Sequence, residues 1–417
     1  MKPLTYLSQP TIFIGILLLA SILFGCRELP PAGQIAYVGG DGNVYVTSAD
    51  LETTTQITFD ANTRIEGAGR SYQRLAWSPA GQLAYASVER SGEQASSEIY
   101  VTNMTQTIPS IVGSSADHFV IYMNWAAGSC GKDECNRLAY LIEEGASISL
   151  RVVDLDPMRN RVAGTGWPFY ASWSPDGEQM LWHRNGGILD NSVATLDLFD
   201  VAAGESAELP IKPGLQVAPA FSPTGEGMVL VSAENNLLLI NGDQQTTIAE
   251  GDSADISYVW SPDGTQIAYA IRRQLREPFF DAIHVYDVAT GESRRIIDMG
   301  LRSQGFFWSP DGRQLAYIQW LPIGEEEGWM QWRVVNVETG EDRGFEPFNP
   351  TPQFRFMMAS FTQFAQSHRL WSPDSRYLLF TERRASQENA IWMLDTQSDS
   401  DNGILVAEGS LAFWSWR

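Results

Sequence analysis

Residues 308–317 read WSPDGRQLAY, and close variants of these ten letters return along the whole chain. WSPDGTQIAY begins at Trp260, WSPDGEQMLW at Trp173, WSPAGQLAYA at Trp77, WSPDSRYLLF at Trp371 and FSPTGEGMVL at Phe221. Ser309-Pro310-Asp311-Gly312 suits a type I β-turn, with Pro310 supplying the preset φ of the second position and Gly312 the last. Trp308 closes a short strand before the turn, and Gln314-Leu315-Ala316-Tyr317 opens another after it. Each copy is therefore a strand, a tight turn and a second strand. Asp176, Asp263, Asp311 and Asp374 share one motif position and could suggest a ring of acids. Ala80 and Thr224 stand there in other copies, as a turn position allows and a catalytic ring would not.

Spacing turns the repeat into an architecture. Motif heads at 77, 125, 173, 221, 260, 308 and 371 recur most often at intervals of 48 residues, close to the length of a four-stranded propeller blade. Trp125 belongs to the set, its turn enlarged to AAGSCGKDECN before Arg137-Leu138-Ala139-Tyr140. LPPAGQIAY at 29–37 aligns with WSPAGQLAY at 77–85 but has no strand before it. The missing strand stands at the other end, in Leu411-Ala412-Phe413-Trp414-Ser415. The expected fold is an all-β, eight-bladed propeller of four-stranded antiparallel blades. Its first blade is closed by the C-terminal strand, which removes the open sheet edges. Third strands are legible at Glu98-Ile99-Tyr100-Val101, Ile283-His284-Val285-Tyr286, Trp332-Arg333-Val334-Val335 and Ala390-Ile391-Trp392-Met393. No stretch after the N-terminal run shows convincing helical periodicity.

The recurring WSPDG head, followed by (I/L)AY and a later IYV-type strand, resembles the TolB-like family of propeller repeats, a relative of the WD repeats. The likeness runs from residue 29 almost to the end and departs from the pattern at Trp125, Phe221 and Ser375. It implies a protein-binding or scaffolding platform in the bacterial cell envelope. A shared fold does not by itself identify a partner.

Composition narrows the classes further. The propeller accounts for most of the 417 residues, so one large domain is expected over 33–417. Seven of the 14 Trp (77, 125, 173, 260, 308, 371 and 414) occupy the motif position and are assigned to the core. A net charge of −22 argues against nucleic acid and against adhesion to anionic lipid through the protein surface. A monomer is expected.

Residues 1–25 read as a lipoprotein signal peptide: one Lys, then an apolar run of fifteen residues from Thr11 to Gly25, too short for a comfortable spanning helix. Leu23-Phe24-Gly25-Cys26 resembles a lipobox, with Cys26 acylated and residues 26–32 a lipidated tether. The expected location is extracytoplasmic and membrane-anchored, in the periplasm or at the cell surface, with the membrane engaged through the lipid alone. Outside the cytoplasm Cys130 and Cys135 are expected as a disulfide across the enlarged turn. A zinc site would need ligands that no further cysteine supplies.

No catalytic constellation is legible. There is no Gly-x-Ser-x-Gly elbow, no His-Glu-x-x-His and no phosphate-binding loop, and there are four histidines, His118, His183, His284 and His368. His118 and His368 both precede motif tryptophans and could approach the central channel, as a metal-dependent propeller lyase or hydrolase would require. Without a carboxylate partner they read instead as polar residues at strand entrances, and no cofactor or metal is expected. A glycan- or solute-binding lipoprotein is a further alternative.

Insertions collect on the face opposite the motif turns. Arg272, Arg273, Arg276, Phe279 and Phe280 interrupt the sixth blade, and Trp320, Trp329 and Trp332 flank an insertion in the seventh. Phe354, Phe356, Met357, Met358 and Phe361 lie in the stretch from 348 to 367. Arg and aromatic residues are the types enriched in interface hot spots, so this rim is the expected surface for a protein partner. The alternative is that these loops pack on one another as local lids.

Overall fold

A computed structural model describes residues 32–417 apart from 63–67, 93, 105–107, 117, 131–132, 135, 187–192, 215–217, 233–234, 252–255, 272–279, 324–325 and 385–387. The architecture is an all-β propeller of seven four-stranded antiparallel blades. Blade 2 shows the pattern: Ala68–Trp77 innermost, then Leu83–Ser91, Gln94–Thr102 and Ser110–Ala116 outermost. Blades 3 to 5 open on Val120–Trp125, Phe169–Trp173 and Ala220–Phe221. Blades 6 and 7 share the long strand Ser293–Trp308, whose first part is outermost in blade 6 and whose last part is innermost in blade 7.

The ring closes at blade 1 as expected. Ile35, Ala36, Tyr37 and Val38 pair with Trp414, Phe413, Ala412 and Leu411 at the end of strand Ile404–Trp414, so the C-terminal strand is innermost there.

The expectation of eight four-stranded blades is corrected to seven. The segment headed by Trp371 supplies three strands, Tyr377–Arg383, Asn389–Asp395 and the beginning of Ile404–Trp414, which extend the sheet of blade 1. Its innermost strand is missing, and Trp371 makes only an isolated bridge to Leu378. The cause is local. Pro350 and Pro352 cannot donate to a ladder, and the residues that follow fold as two helices, α1 (Pro352–Ala359) and α2 (Phe361–Phe364). Thr351 caps α1 by accepting the Phe354 N–H at 3.3 Å, and Pro352 suits the first turn, where its missing N–H is no loss. The expectation of no helical stretch after the N-terminal run is thus also corrected. Apolar residues at Phe354, Met357, Met358 and Phe361 follow the i, i+3, i+4, i+7 spacing that announces such a helix.

The motif residues serve the fold. Trp125 Nε1 donates to the Ala76 carbonyl at 2.9 Å, Trp173 to Asn124 at 3.2 Å, Trp308 to Val259 at 3.3 Å, Trp371 to Phe307 at 3.1 Å and Trp77 to Phe413 at 3.3 Å. Each indole thus clamps the residue just before the motif position of the preceding repeat. Each such bond adds about 0.5–1.5 kcal/mol net to the burial of the ring. The motif aspartates are turn caps: Asp311 accepts from the Ser309 hydroxyl at 2.6 Å and from the Arg313 N–H at 3.1 Å. Asp176 and Asp263 repeat the contact with Ser174 and Ser261. Glycine is required where a shared strand crosses between sheets: a Cβ on Gly409 would lie 2.3 Å from the Val38 carbonyl oxygen.

Candidate functional site

The helices enter the central channel from the insertion side and plug it. The Phe361 ring lies 5.0 Å from Phe306 and 6.2 Å from both Phe307 and Phe280, centroid to centroid, which binds α2 to the innermost strand of blade 7 and the third strand of blade 6. Gln363 spans to blade 4, where its side-chain oxygen accepts the Ala171 N–H at 3.0 Å and its amide donates to the Ala171 carbonyl at 2.6 Å. Tyr122 in blade 3 donates to the Gln363 carbonyl at 3.1 Å, and its hydroxyl oxygen lies 2.5 Å from the Ser367 hydroxyl. An amide and a hydroxyl thereby satisfy polar groups that a purely apolar plug would leave unpaired.

Closing one end turns the channel into a blind funnel of about 300 Å³ on the motif-turn side. Its wall is built from the motif ends of the innermost strands, including Asn124, Trp173, Ser172 and Trp308, and its floor from Ala365, Gln366, His368 and Leu370. Arg369 and Trp416 also line it, with the guanidinium carbon 4.0 Å from the Trp416 ring centroid. Trp416 is held by donating its indole N–H to the Trp77 carbonyl at 2.9 Å. Burial pushes the Arg369 pKa down to about 10, because a guanidinium withdrawn from water loses hydration that no carboxylate among the described residues replaces.

His368 and His118 do not meet in one site. His368 is buried in the channel wall, its Nδ1 2.6 Å from the Ser367 hydroxyl and its ring against Phe413 and Phe364 at 4.6 and 4.9 Å. Burial drives its pKa down to about 3, so it is a neutral packing residue. His118 stands at the other end of blade 3, before strand Val120–Trp125. His183 is buried in blade 4, and His284 stacks on Tyr269 at 5.1 Å. Among the described residues no group of three or more His, Cys, Asp or Glu side chains comes together.

The expected binding rim divides. Phe280 and Trp332 are corrected to core: they are 2% and 1% exposed, Phe280 against Phe306 and Phe361, Trp332 against Phe307 and Phe354. The plug that fills the channel is what covers them. Phe354, Met357, Met358 and Phe361 are buried with it. Trp320 and Trp329 are half-buried on the insertion side, Trp320 donating to Gln304 at 2.8 Å beneath Arg355. Arg272, Arg273, Arg276 and Phe279 lie outside the described residues, as do Cys26 and Cys135, and the Cys130 side chain is likewise not described.

Three large aromatic side chains stand exposed among the described residues: Phe59 (76%), Trp167 (56%) and Phe356 (39%). All three lie on the insertion side. Phe59 follows the outermost strand of blade 1, Trp167 joins blade 3 to blade 4, and Phe356 is on α1. Sequence reasoning passed over Phe59 and Trp167 because they lie in short connections rather than in long insertions.

The TolB beta propeller domain matches residues 134–344, about half of the 417 residues. No curated protein matches the sequence. Similar solved structures include an oligogalacturonate lyase in complex with manganese, 14% identical, covering 89% of this chain and 98% of that one with a TM-score of 0.55. A prolyl endopeptidase is 11% identical over 83% of this chain and 50% of its own, with a TM-score of 0.55. TolB from Acinetobacter baumannii is 14% identical over 79% and 81%, with a TM-score of 0.40. At such identities the structural likenesses speak to the fold alone. With the motif repeat, the closed ring of antiparallel blades and the match over 134–344 taken together, the chain belongs to the TolB beta propeller family.

Proposed function

We propose that this protein is a non-catalytic interaction scaffold of the bacterial cell envelope that binds a protein partner through the insertion side of the propeller. One observation carries the reading. The motif tryptophans are spent on clamping blades together, whereas Phe59, Trp167 and Phe356 are exposed, and all on one side. Exposed aromatics on a rigid frame lose little conformational freedom on binding and supply large apolar contacts, the usual basis of hot spots. Half-buried Trp320 and Trp329 border the same side.

Orientation supports it. The chain enters the propeller beside the motif turn at Asp374, which the Ala32 N–H approaches at 3.5 Å. An acylated Cys26 would leave a tether of roughly 20 Å at most. The motif-turn side would then face the membrane and the insertion side the compartment beyond it.

The test is a pull-down from detergent-solubilised membranes, followed by affinity measurement with the protein recovered. Trp167→Ala and Trp329→Ala should each weaken binding by about 1–3 kcal/mol while leaving the melting temperature nearly unchanged. Equal affinity in both variants would remove the insertion side from consideration. Cys26→Ser should abolish palmitate labelling and membrane retention, and a variant still labelled would refute the anchor.

A further inference from the structure

We infer that the funnel on the motif-turn side binds a small organic anion, a carboxylate with a flat apolar body, through Arg369. This goes beyond the scaffold reading and is independent of it, because the funnel opens on the side opposite the exposed aromatics.

Arg369 is the one Arg or Lys among the described residues that line the funnel. It lines the funnel, packs on Trp416, and has no ion pair or side-chain hydrogen bond to any described residue. No Asp or Glu among the described residues lines the funnel. A guanidinium is withdrawn from water at a cost that one aromatic ring recovers only in part, so such a group is satisfied when an anion reaches it. Its planar fork of donors matches a carboxylate in bidentate geometry. The protein carries a net charge of −22, so Arg369 is not part of a general basic surface. It is a local cation in a pocket clear of acids.

The remaining wall selects the rest of the ligand. Indole and proline surfaces from Trp173, Trp308 and Pro262 offer flat apolar contact, and Asn124 brings an amide with no hydrogen-bond partner among the described residues. Gln366 is already committed, donating to the Pro219 and Thr362 carbonyls, so it helps to hold the floor. A volume of about 300 Å³ lies at the lower end of small-molecule sites. A few apolar rings and a single cation describe a ligand with one acidic group and a compact apolar remainder.

The test uses the full chain with phenylacetate as probe, phenylacetamide as its uncharged counterpart and inorganic phosphate as an anion without an apolar body. Binding is read by intrinsic tryptophan fluorescence and by calorimetry. Phenylacetate should saturate at least about tenfold more tightly than either comparison compound. Arg369→Gln should bring phenylacetate down to the phenylacetamide level and leave phenylacetamide itself unchanged. If that variant does not fold, Arg369→Lys keeps the charge but loses the fork and should still weaken phenylacetate about tenfold. The inference is overturned by equal affinity for phenylacetate and phenylacetamide, by phosphate binding as tightly as phenylacetate, by unchanged phenylacetate binding in the folded variant, or by no saturable binding in the millimolar range. None of these outcomes bears on the pull-down from the insertion side.

Discussion

Replacing Gln363 by Leu isolates the contribution of the plug. Gln363 is 4% exposed and makes two hydrogen bonds to one residue of blade 4, accepting the Ala171 N–H at 3.0 Å and donating to the Ala171 carbonyl at 2.6 Å. Leucine has nearly the same volume, so the substitution opens little cavity and leaves two buried backbone groups unsatisfied. Each costs about 1–3 kcal/mol, and the apolar gain of leucine offsets about 1, which gives a net loss of about 1–5 kcal/mol. Urea unfolding followed by tryptophan fluorescence should show the midpoint falling with an unchanged slope, since the surface exposed on unfolding is the same. Hydrogen exchange at the Ala171 amide should quicken. Gln363→Glu provides the control: a neutral carboxyl can both donate and accept, so this variant should approach native stability as pH falls below the carboxylate range. A loss below about 0.5 kcal/mol in Gln363→Leu, the size of an ordinary surface substitution, would refute the role of the plug in holding blade 4.

Two other tests address the ring and its buried histidine. Deleting residues 408–417 removes the innermost strand of blade 1, strips buried Leu411, Phe413 and Trp414 from the core and leaves the Trp77 indole N–H without the Phe413 carbonyl. The melting temperature should collapse and the protein should associate through its exposed edges, whereas an unchanged melting temperature would refute the terminal pairing. Burial holds the His368 pKa at about 3 against its ordinary 6.5. The unfolded chain binds a proton between these values that the native one refuses. The stability due to neutral burial is therefore complete above about pH 6.5 and declines as pH falls toward 3, by at most about 1.4 kcal/mol per pH unit. His368→Phe should flatten the fall of the urea midpoint between pH 6.5 and 4 relative to the native chain. An identical slope in both proteins would refute the assignment.

What the sequence alone determined about this protein is the repeating unit. A turn such as Ser309 to Gly312 is specified within a few residues, by the preset φ of proline, by an aspartate that caps its own turn and by a glycine. Recurrence at 48 residues then implies blades, and the split first blade implies closure by the terminal strand, because a ring leaves no innermost strand unpaired. The number of complete blades was beyond this reasoning. Trp371 carries the motif as fully as Trp308, yet whether a strand forms ahead of it depends on what fills the channel, and α1 and α2 fill it. The same packing decided which aromatics are surface. Residue type marked Phe280 and Trp332 as candidates for recognition, and the plug made them core, while Trp167 in a short connection was left outside. Arg369 became a candidate ligand-binding group only through the funnel, since its missing carboxylate is a fact about neighbours distant along the chain. Turn chemistry acts over a handful of bonds and is written locally, whereas burial and charge pairing are properties of the assembled ring.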